Sequence, residues 1–233
     1  FHMPDFIDIV INSGDDRNPF GATIGQSLPN WGAVANEGRG RTVAMTNLYT
    51  DPDSEAIKRA KAEALLDEAT IAHYPTLDDT DLIGIILHEA THNLGPSHEY
   101  AFKGKTDDQA FGGPLATVME ELKAQTGALY YIGFLREKGI IDEEFAKQAF
   151  VGSFNWACGH ISRGMYTSSG RPKPYSQVAA IQIGFLMDEG AISFDPSAKA
   201  ANGTDTGVFT LHLDKWETAT TKLMKQVGKI KAK

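Results

Sequence analysis

The chain has 233 residues, of which 42% are hydrophobic and 22% are charged, and its formal net charge is −8. A single cysteine excludes an internal disulfide, and the acidic balance argues against nucleic-acid partners and anionic membranes, which both need clustered cations. No segment reaches the ~20 apolar residues of a membrane span, and the first residues lack the pattern of a signal peptide. We therefore expect a soluble protein of the cytoplasm or periplasm, with its oligomeric state left open.

The first fifty residues predict an irregular segment with two strands. Residues 6–11 and 41–48 are short stretches rich in apolar and β-branched side chains, which favour strands. Residues 12–40 contain many Gly, Asn, Pro and Asp residues and predict a long loop.

Helical patterns dominate from residue 51 onwards. Capping residues, and stop signals at Gly and Pro, predict helices over residues 53–72, 80–95, 114–138, 142–166, 175–189 and 215–230. Residues 97–113, with Asp107 and Asp108, predict a solvated loop, residues 208–213 a strand, and the lysine-rich residues 222–233 a solvated helix end. The chain therefore predicts one mainly α domain over residues 1–233, with a few peripheral strands.

One predicted helix carries the pattern His88-Glu89-Ala90-Thr91-His92 after an apolar run. Helical positions four apart share a face, so His88 and His92 can present both imidazoles to one cation. Zinc lowers the pKa of a bound water, and the carboxylate of Glu89 can take the proton of that water as it attacks a carbonyl carbon. The motif therefore predicts a zinc-dependent hydrolase, with a peptide as the expected substrate.

The sequence offers two candidates for the third protein ligand that a catalytic zinc usually takes. His98 completes the longer spacing of metzincin endopeptidases, in which Gly95 turns the chain and a downstream Met-turn, here Met165, is needed. Glu121 lies on a later predicted helix and would complete a site of two His and one Glu. The residues alone leave both ligands open, together with a protein that binds zinc without catalysis.

Two further segments accompany the metal motif. They are residues 28–31, Leu-Pro-Asn-Trp, and residues 119–125, Met-Glu-Glu-Leu-Lys-Ala-Gln. Together with the motif they resemble the dipeptidyl peptidase III family of zinc exopeptidases, which has a Pro-Asn segment and a Glu-Glu-x-x-Ala-Glu segment. The resemblance extends loosely over residues 28–190. It implies a zincin-like helical metallopeptidase catalytic domain, as a fragment or compact relative of a longer two-lobed protein.

The resemblance also implies roles for individual residues. His88, His92 and Glu121 would be the zinc ligands, and Glu89 would be the general base. Glu120 would orient a histidine ligand, as metal-bound imidazoles usually require.

Three positions depart from the family pattern. The family motif has one more residue between its Glu and its second His, and the last Glu of its later segment is Gln125 here. The family's oxyanion-stabilising histidine is matched by Tyr175, whose hydroxyl can donate a hydrogen bond. His160, on the preceding predicted helix, is a second candidate for that role.

Overall fold

Helices make up most of the described chain, which confirms the predicted mainly α class. The computed structural model describes residues 5–8, 25–28, 33–37, 41–45, 51–76, 79–95 and 101–232. The strands are β1 (Asp5–Ile7), β2 (Gly25–Leu28), β3 (Arg41–Met45), β4 (Ile192–Lys199) and β5 (Thr206–Leu211). The helices are α1 (Ala33–Asn36), α2 (Pro52–Leu65), α3 (Glu68–Ile71), α4 (Asp79–His92), α5 (Asp107–Phe111), α6 (Gly113–Glu137), α7 (Glu143–Ile161), α8 (Pro174–Asp188) and α9 (Leu213–Lys231).

The described strands form two small sheets. In the first, of order β1-β3-β2, β1 runs parallel and β2 antiparallel to β3. In the second, β4 and β5 form an antiparallel pair. The predicted strand at 41–48 begins as β3. Of the strand predicted at 6–11, Phe6 and Ile7 lie in β1, and Asp8 follows its end. The prediction of a long loop at 12–40 is wrong in part, because this segment contains β2 and α1. Strand β4 was not predicted.

The predicted helix over residues 53–72 is interrupted at Leu66 and Asp67. The side chain of Leu66 is fully buried, and its backbone forms a bridge with Phe209 of β5. The carboxylate of Asp67 accepts a hydrogen bond from the backbone N–H of Thr70 at 2.8 Å and so caps α3. Tertiary pairing with β5 therefore ends α2 before residue 72.

Two other boundaries also differ from the prediction. Residues 97–113 are not a loop throughout, because Thr106 starts the short helix α5 with a capping box. The helix predicted to reach residue 166 ends at Ile161, since the chain turns at Gly164, which has a φ of 78°. Met165 consequently lies after α7 rather than inside it.

The main core lies among α6, α7, α8 and α9. Phe150 of α7 and Trp216 of α9 are almost completely buried, with their ring centroids 5.2 Å apart. The indole N–H of Trp216 donates to the carbonyl oxygen of Ala191 at 3.1 Å, which satisfies its one polar group. Each such aromatic side chain contributes roughly 1.5–3 kcal/mol through burial. Among the described helices, none is long and apolar enough to cross a membrane.

Helix α4, which carries the predicted metal motif, packs chiefly against α6. A glycine makes this approach close, because a Cβ at Gly127 would lie 2.3 Å from Cγ2 of Thr91. Thr91 is itself fixed by a hydrogen bond from its hydroxyl to the carbonyl oxygen of Leu87 at 2.6 Å. The backbone of α6 therefore lies directly against the Thr91 side chain at this point, and Glu120, Glu121 and Gln125 of α6 face the motif of α4.

We expect Gly127→Ala to lower the free energy of unfolding by about 1–3 kcal/mol, because the new methyl group overlaps the Thr91 side chain. The matched control is Gly184→Ala in the exposed middle of α8, where a Cβ meets nothing within 4 Å. This control should gain roughly 0.5–1 kcal/mol from its higher helix propensity. Urea unfolding of both variants measures the difference, and equal stabilisation by both would contradict the close approach.

Candidate metal centre

Three donor atoms converge where α4 faces α6. Nε2 of His88 and Nε2 of His92 are 3.2 Å apart, and Oε2 of Glu121 is 3.3 Å from the first and 3.9 Å from the second. Ligands at about 2.0–2.1 Å from a tetrahedral ion are about 3.3 Å from one another. The three side chains are thus spaced as ligands of one cation, and together they can hold a metal ion.

Both imidazoles are oriented by a partner on α6. Nδ1 of His88 is 2.9 Å from Oε1 of Gln125, and Nδ1 of His92 is 2.9 Å from Oε1 of Glu120. Each of these oxygens accepts a hydrogen bond, which places the imidazole proton on Nδ1 and leaves the lone pair on Nε2. Both lone pairs therefore point towards the carboxylate of Glu121.

The carboxylate of Glu121 is buried and forms a side-chain hydrogen bond with Tyr175. Its Oε2 atom is buried and has no hydrogen-bond partner among the described residues, although it lies between two imidazole lone pairs. Burial alone would lower the pKa of His88, but the hydrogen bond and charge of Glu121, together with the charge of Glu89, raise it. A cation between the three donors removes their mutual repulsion, and the set of two nitrogens and one oxygen is suited to zinc.

Two further residues lie within electrostatic reach of the donors. The ring of Tyr175, at the start of α8, is centred 6.4 Å from the ring of His88. Burial of its hydroxyl, together with the carboxylates of Glu121 and Glu89, raises the pKa of Tyr175, so the hydroxyl keeps its proton. Glu89, which follows His88 on α4, contributes to the raised pKa of both His88 and Tyr175.

His160 is a ring neighbour of Tyr175 and lies further than Tyr175 from the three donor atoms. Its ring is 5.5 Å from that of Tyr175 and 4.4 Å from that of Trp156. Burial, with a smaller contribution from Arg163, lowers the pKa of His160 to about 4, so the imidazole is neutral near pH 7. The carbonyl oxygen of His160 accepts a hydrogen bond from the Ser176 hydroxyl at 2.8 Å, which joins the end of α7 to α8.

A buried group of charges behind His92 was not predicted. Lys123 of α6 donates to the carbonyl oxygens of His92 and Leu94, both at 3.2 Å, and so satisfies the C-terminal end of α4. Its Nζ atom is also 3.0 Å from Oε1 of Glu120. Burial would raise the pKa of Glu120, but its contacts with His92, Lys123 and Lys231 hold that pKa far below the usual range.

Two members of this buried charged group, Lys231 and Asp107, contradict predictions made from the sequence. Lys231 lies in the lysine-rich end of α9, yet its side chain is completely buried and pairs with Asp107 and Glu120. Asp107 is buried too, so the predictions of a solvated helix end and a solvated loop are wrong at these positions. Both residues lie among charged neighbours in sequence, and only the packing of α9 and α5 against α6 selects one from each group.

No protein-family model matches the chain. Among solved structures, it is similar to dipeptidyl peptidase III from Caldithrix abyssi, with a TM-score of 0.73 and 20% identity over 91% of this chain and 37% of that one. The chain has a dipeptidyl peptidase III-like fold.

A curated protein also matches part of the chain. Nudix hydrolase 3 from Arabidopsis thaliana is 25% identical over 191 residues, which are 81% of this chain and 23% of that protein. The chain therefore spans 23% of this relative and 37% of the solved dipeptidyl peptidase III chain.

The dipeptidyl peptidase III-like fold brings together most of the predicted site residues. His88, His92 and Glu121 meet, with Glu89 and Tyr175 beside them. His160 is in contact range of Tyr175 but makes no described contact with the three donors. His98 lies outside the described residues, and residues 28–31 are described only at Leu28.

We expect removal of Glu121 to abolish tight metal binding, because two imidazoles alone leave the ion without its charged ligand. The comparison is Glu121→Ala against His98→Ala, each measured for bound zinc after dialysis. Glu121→Ala should lose the metal, and His98→Ala should keep about one ion per chain. Loss of zinc from His98→Ala alone would instead favour the metzincin arrangement.

Proposed function

We propose that this chain is a zinc-dependent hydrolase of peptide bonds. The observation that carries the proposal is the convergence at ligand spacing of His88 Nε2, His92 Nε2 and Glu121 Oε2, which has no hydrogen-bond partner among the described residues. The dipeptidyl peptidase III-like fold adds support, since that neighbour has a peptidase name and the curated relative is named a hydrolase. Zinc, when bound by these residues, supplies a water of lowered pKa and polarises a substrate carbonyl.

Glu89 has the position of a general base. It follows His88 directly on α4, is only half-buried, and acts electrostatically on both His88 and Tyr175. A carboxylate at this place can accept the proton of the attacking water and pass it to the leaving amine. A metal site with a purely structural role has no need of such a base and is usually closed by four protein ligands.

Tyr175 is the better placed of the two candidates for stabilising negative charge on the carbonyl oxygen. Its pKa is raised, so its hydroxyl is a hydrogen-bond donor at neutral pH, and its ring is a direct neighbour of His88. His160 packs behind it and is neutral at pH 7. We therefore assign Tyr175 as the donor and His160 as the residue that supports its ring.

The proposed substrate is a peptide, with no nucleic-acid or membrane partner. The proposed catalytic domain comprises residues 1–233, which match only part of each of the two longer similar proteins.

Glu89→Gln should bind zinc as the unchanged chain does but lower the rate of peptide hydrolysis by about 10²–10⁴-fold, because the amide cannot take a proton. The assay is cleavage of a mixed peptide library, with new termini identified by mass spectrometry. Glu137→Gln, at the exposed end of α6, is the matched control and should keep full activity. Full hydrolysis by zinc-loaded Glu89→Gln would exclude this mechanism.

Tyr175→Phe should lower kcat by about 10²-fold, because one donor to the developing oxyanion is lost while the ring packing remains. Zinc content should not change. Tyr166→Phe, a largely exposed tyrosine between α7 and α8, is the control. If His160→Gln lowers kcat and Tyr175→Phe does not, the role belongs to His160.

A further inference from the structure

Lys231 occupies an unusual place for a residue of a lysine-rich helix end. Its side chain has no exposed surface, and its ammonium group contacts Oδ2 of Asp107 on α5 and Oε2 of Glu120 on α6. A fully buried lysine is costly unless its charge is matched, and here two carboxylates match it. The end of α9 is therefore joined by charge to the helix that supplies Glu121.

The two carboxylate oxygens of Glu120 have different partners. Oε1 is 2.9 Å from Nδ1 of His92 and 3.0 Å from Nζ of Lys123, whereas Oε2 is bonded by Lys231. Lys123 also donates to the carbonyl oxygens of His92 and Leu94, so its ammonium group is shared among several acceptors. Lys231 is thus the cation that holds the second oxygen and stops the carboxylate from turning.

We propose that Lys231 is a positioning residue for the metal centre, which acts through Glu120 on His92. This inference rests on the proposed function, since it assumes a metal at His88, His92 and Glu121. With Lys231 in place, Glu120 keeps Oε1 directed at Nδ1 of His92 and keeps the lone pair of Nε2 on the metal position. Without it, Oε2 becomes a buried acceptor that lacks its partner, and the carboxylate rotates towards Lys123.

The positioning role of Lys231 can be distinguished by experiment from its contribution to the stability of the fold. Lys231 has a second partner, Asp107, that makes no described contact with Glu120 or with either histidine. Breaking the Lys231–Asp107 pair from the Asp107 side removes a buried ion pair and leaves the contact between Lys231 and Glu120 intact. Asp107→Asn is therefore the matched control for loss of stability.

The test measures the affinity of the full chain for Zn²⁺ by competition with a chromophoric chelator, and the absorption spectrum of the Co²⁺ form. Lys231→Met should weaken Zn²⁺ binding by about 10–100-fold, as removal of an outer partner of a metal ligand does, and should alter the Co²⁺ spectrum. Asp107→Asn should bind Zn²⁺ as the unchanged chain does, although both variants unfold more easily.

A double-mutant cycle then tests the route through Glu120. In the Glu120→Gln background, Lys231→Met should cause no further loss of Zn²⁺ affinity, because the link to His92 is already broken. If Lys231→Met alone does not fold, Asp107→Asn/Lys231→Met removes both charges of the pair and should show the same weakened Zn²⁺ binding.

Three results would overturn the inference. The first is unchanged Zn²⁺ affinity in folded Lys231→Met. Another is an equal loss of Zn²⁺ affinity in Lys231→Met and Asp107→Asn, which would show that affinity follows stability. The third is a full additional loss when Lys231→Met is combined with Glu120→Gln. Failure of the unchanged chain to bind Zn²⁺ is a separate result, which would overturn the proposed function itself.

Discussion

The close packing of α4 against α6 is the constraint on which the rest of the site depends. At Gly127 the backbone of α6 approaches the side chain of Thr91 so closely that no larger residue fits without displacement. This contact fixes the separation of the two helices, and the separation decides whether Glu121 reaches His88 and His92. The same approach brings Gln125 to His88 and Glu120 to His92, so one packing contact places a third donor and two orienting partners.

Several charged side chains are buried around the candidate site. Most of them are paired with a side chain of opposite charge, and among the described residues Glu121 is the exception. Asp107, Glu120, Lys123 and Lys231 are all buried, and the two carboxylates balance the two ammonium groups. Such a group gives little net stability, because desolvation offsets much of the attraction, but it fixes where each charge lies. Glu121 differs from these groups, because its buried Oε2 atom faces imidazole lone pairs and has no hydrogen-bond partner in the part of the chain that the structure describes. The contrast distinguishes the position where a metal fits from the charges that hold the surrounding helices.

The two histidines are supported by different acceptors, which gives them different surroundings. His92 faces the carboxylate of Glu120, whose negative charge is held by two lysines, whereas His88 faces the neutral amide of Gln125. A carboxylate acceptor makes an imidazole a stronger metal ligand than an amide acceptor does. Glu89 and Glu121 supply negative charge on the side of His88, and this charge raises the pKa of His88. The charge around the donors is therefore distributed between the two helices and is not concentrated on one ligand.

The sequence by itself determined the helical class and the motif on α4, because these depend on local periodicity and on residue types at fixed spacing. It left Glu121 and His98 both open as the third ligand, and only the family resemblance favoured Glu121. The N-cap at Asp142 and the left-handed glycines at 95, 139 and 190 are local in the same sense. Only the tertiary structure decided that α2 ends at Leu65, that Gln125 orients His88, and that Lys231 and Asp107 are buried partners rather than solvated surface residues. The physical reason is that burial and pairing are properties of a whole fold. A lysine among lysines, or an aspartate beside another, has no local signal that marks it as the one that faces the interior.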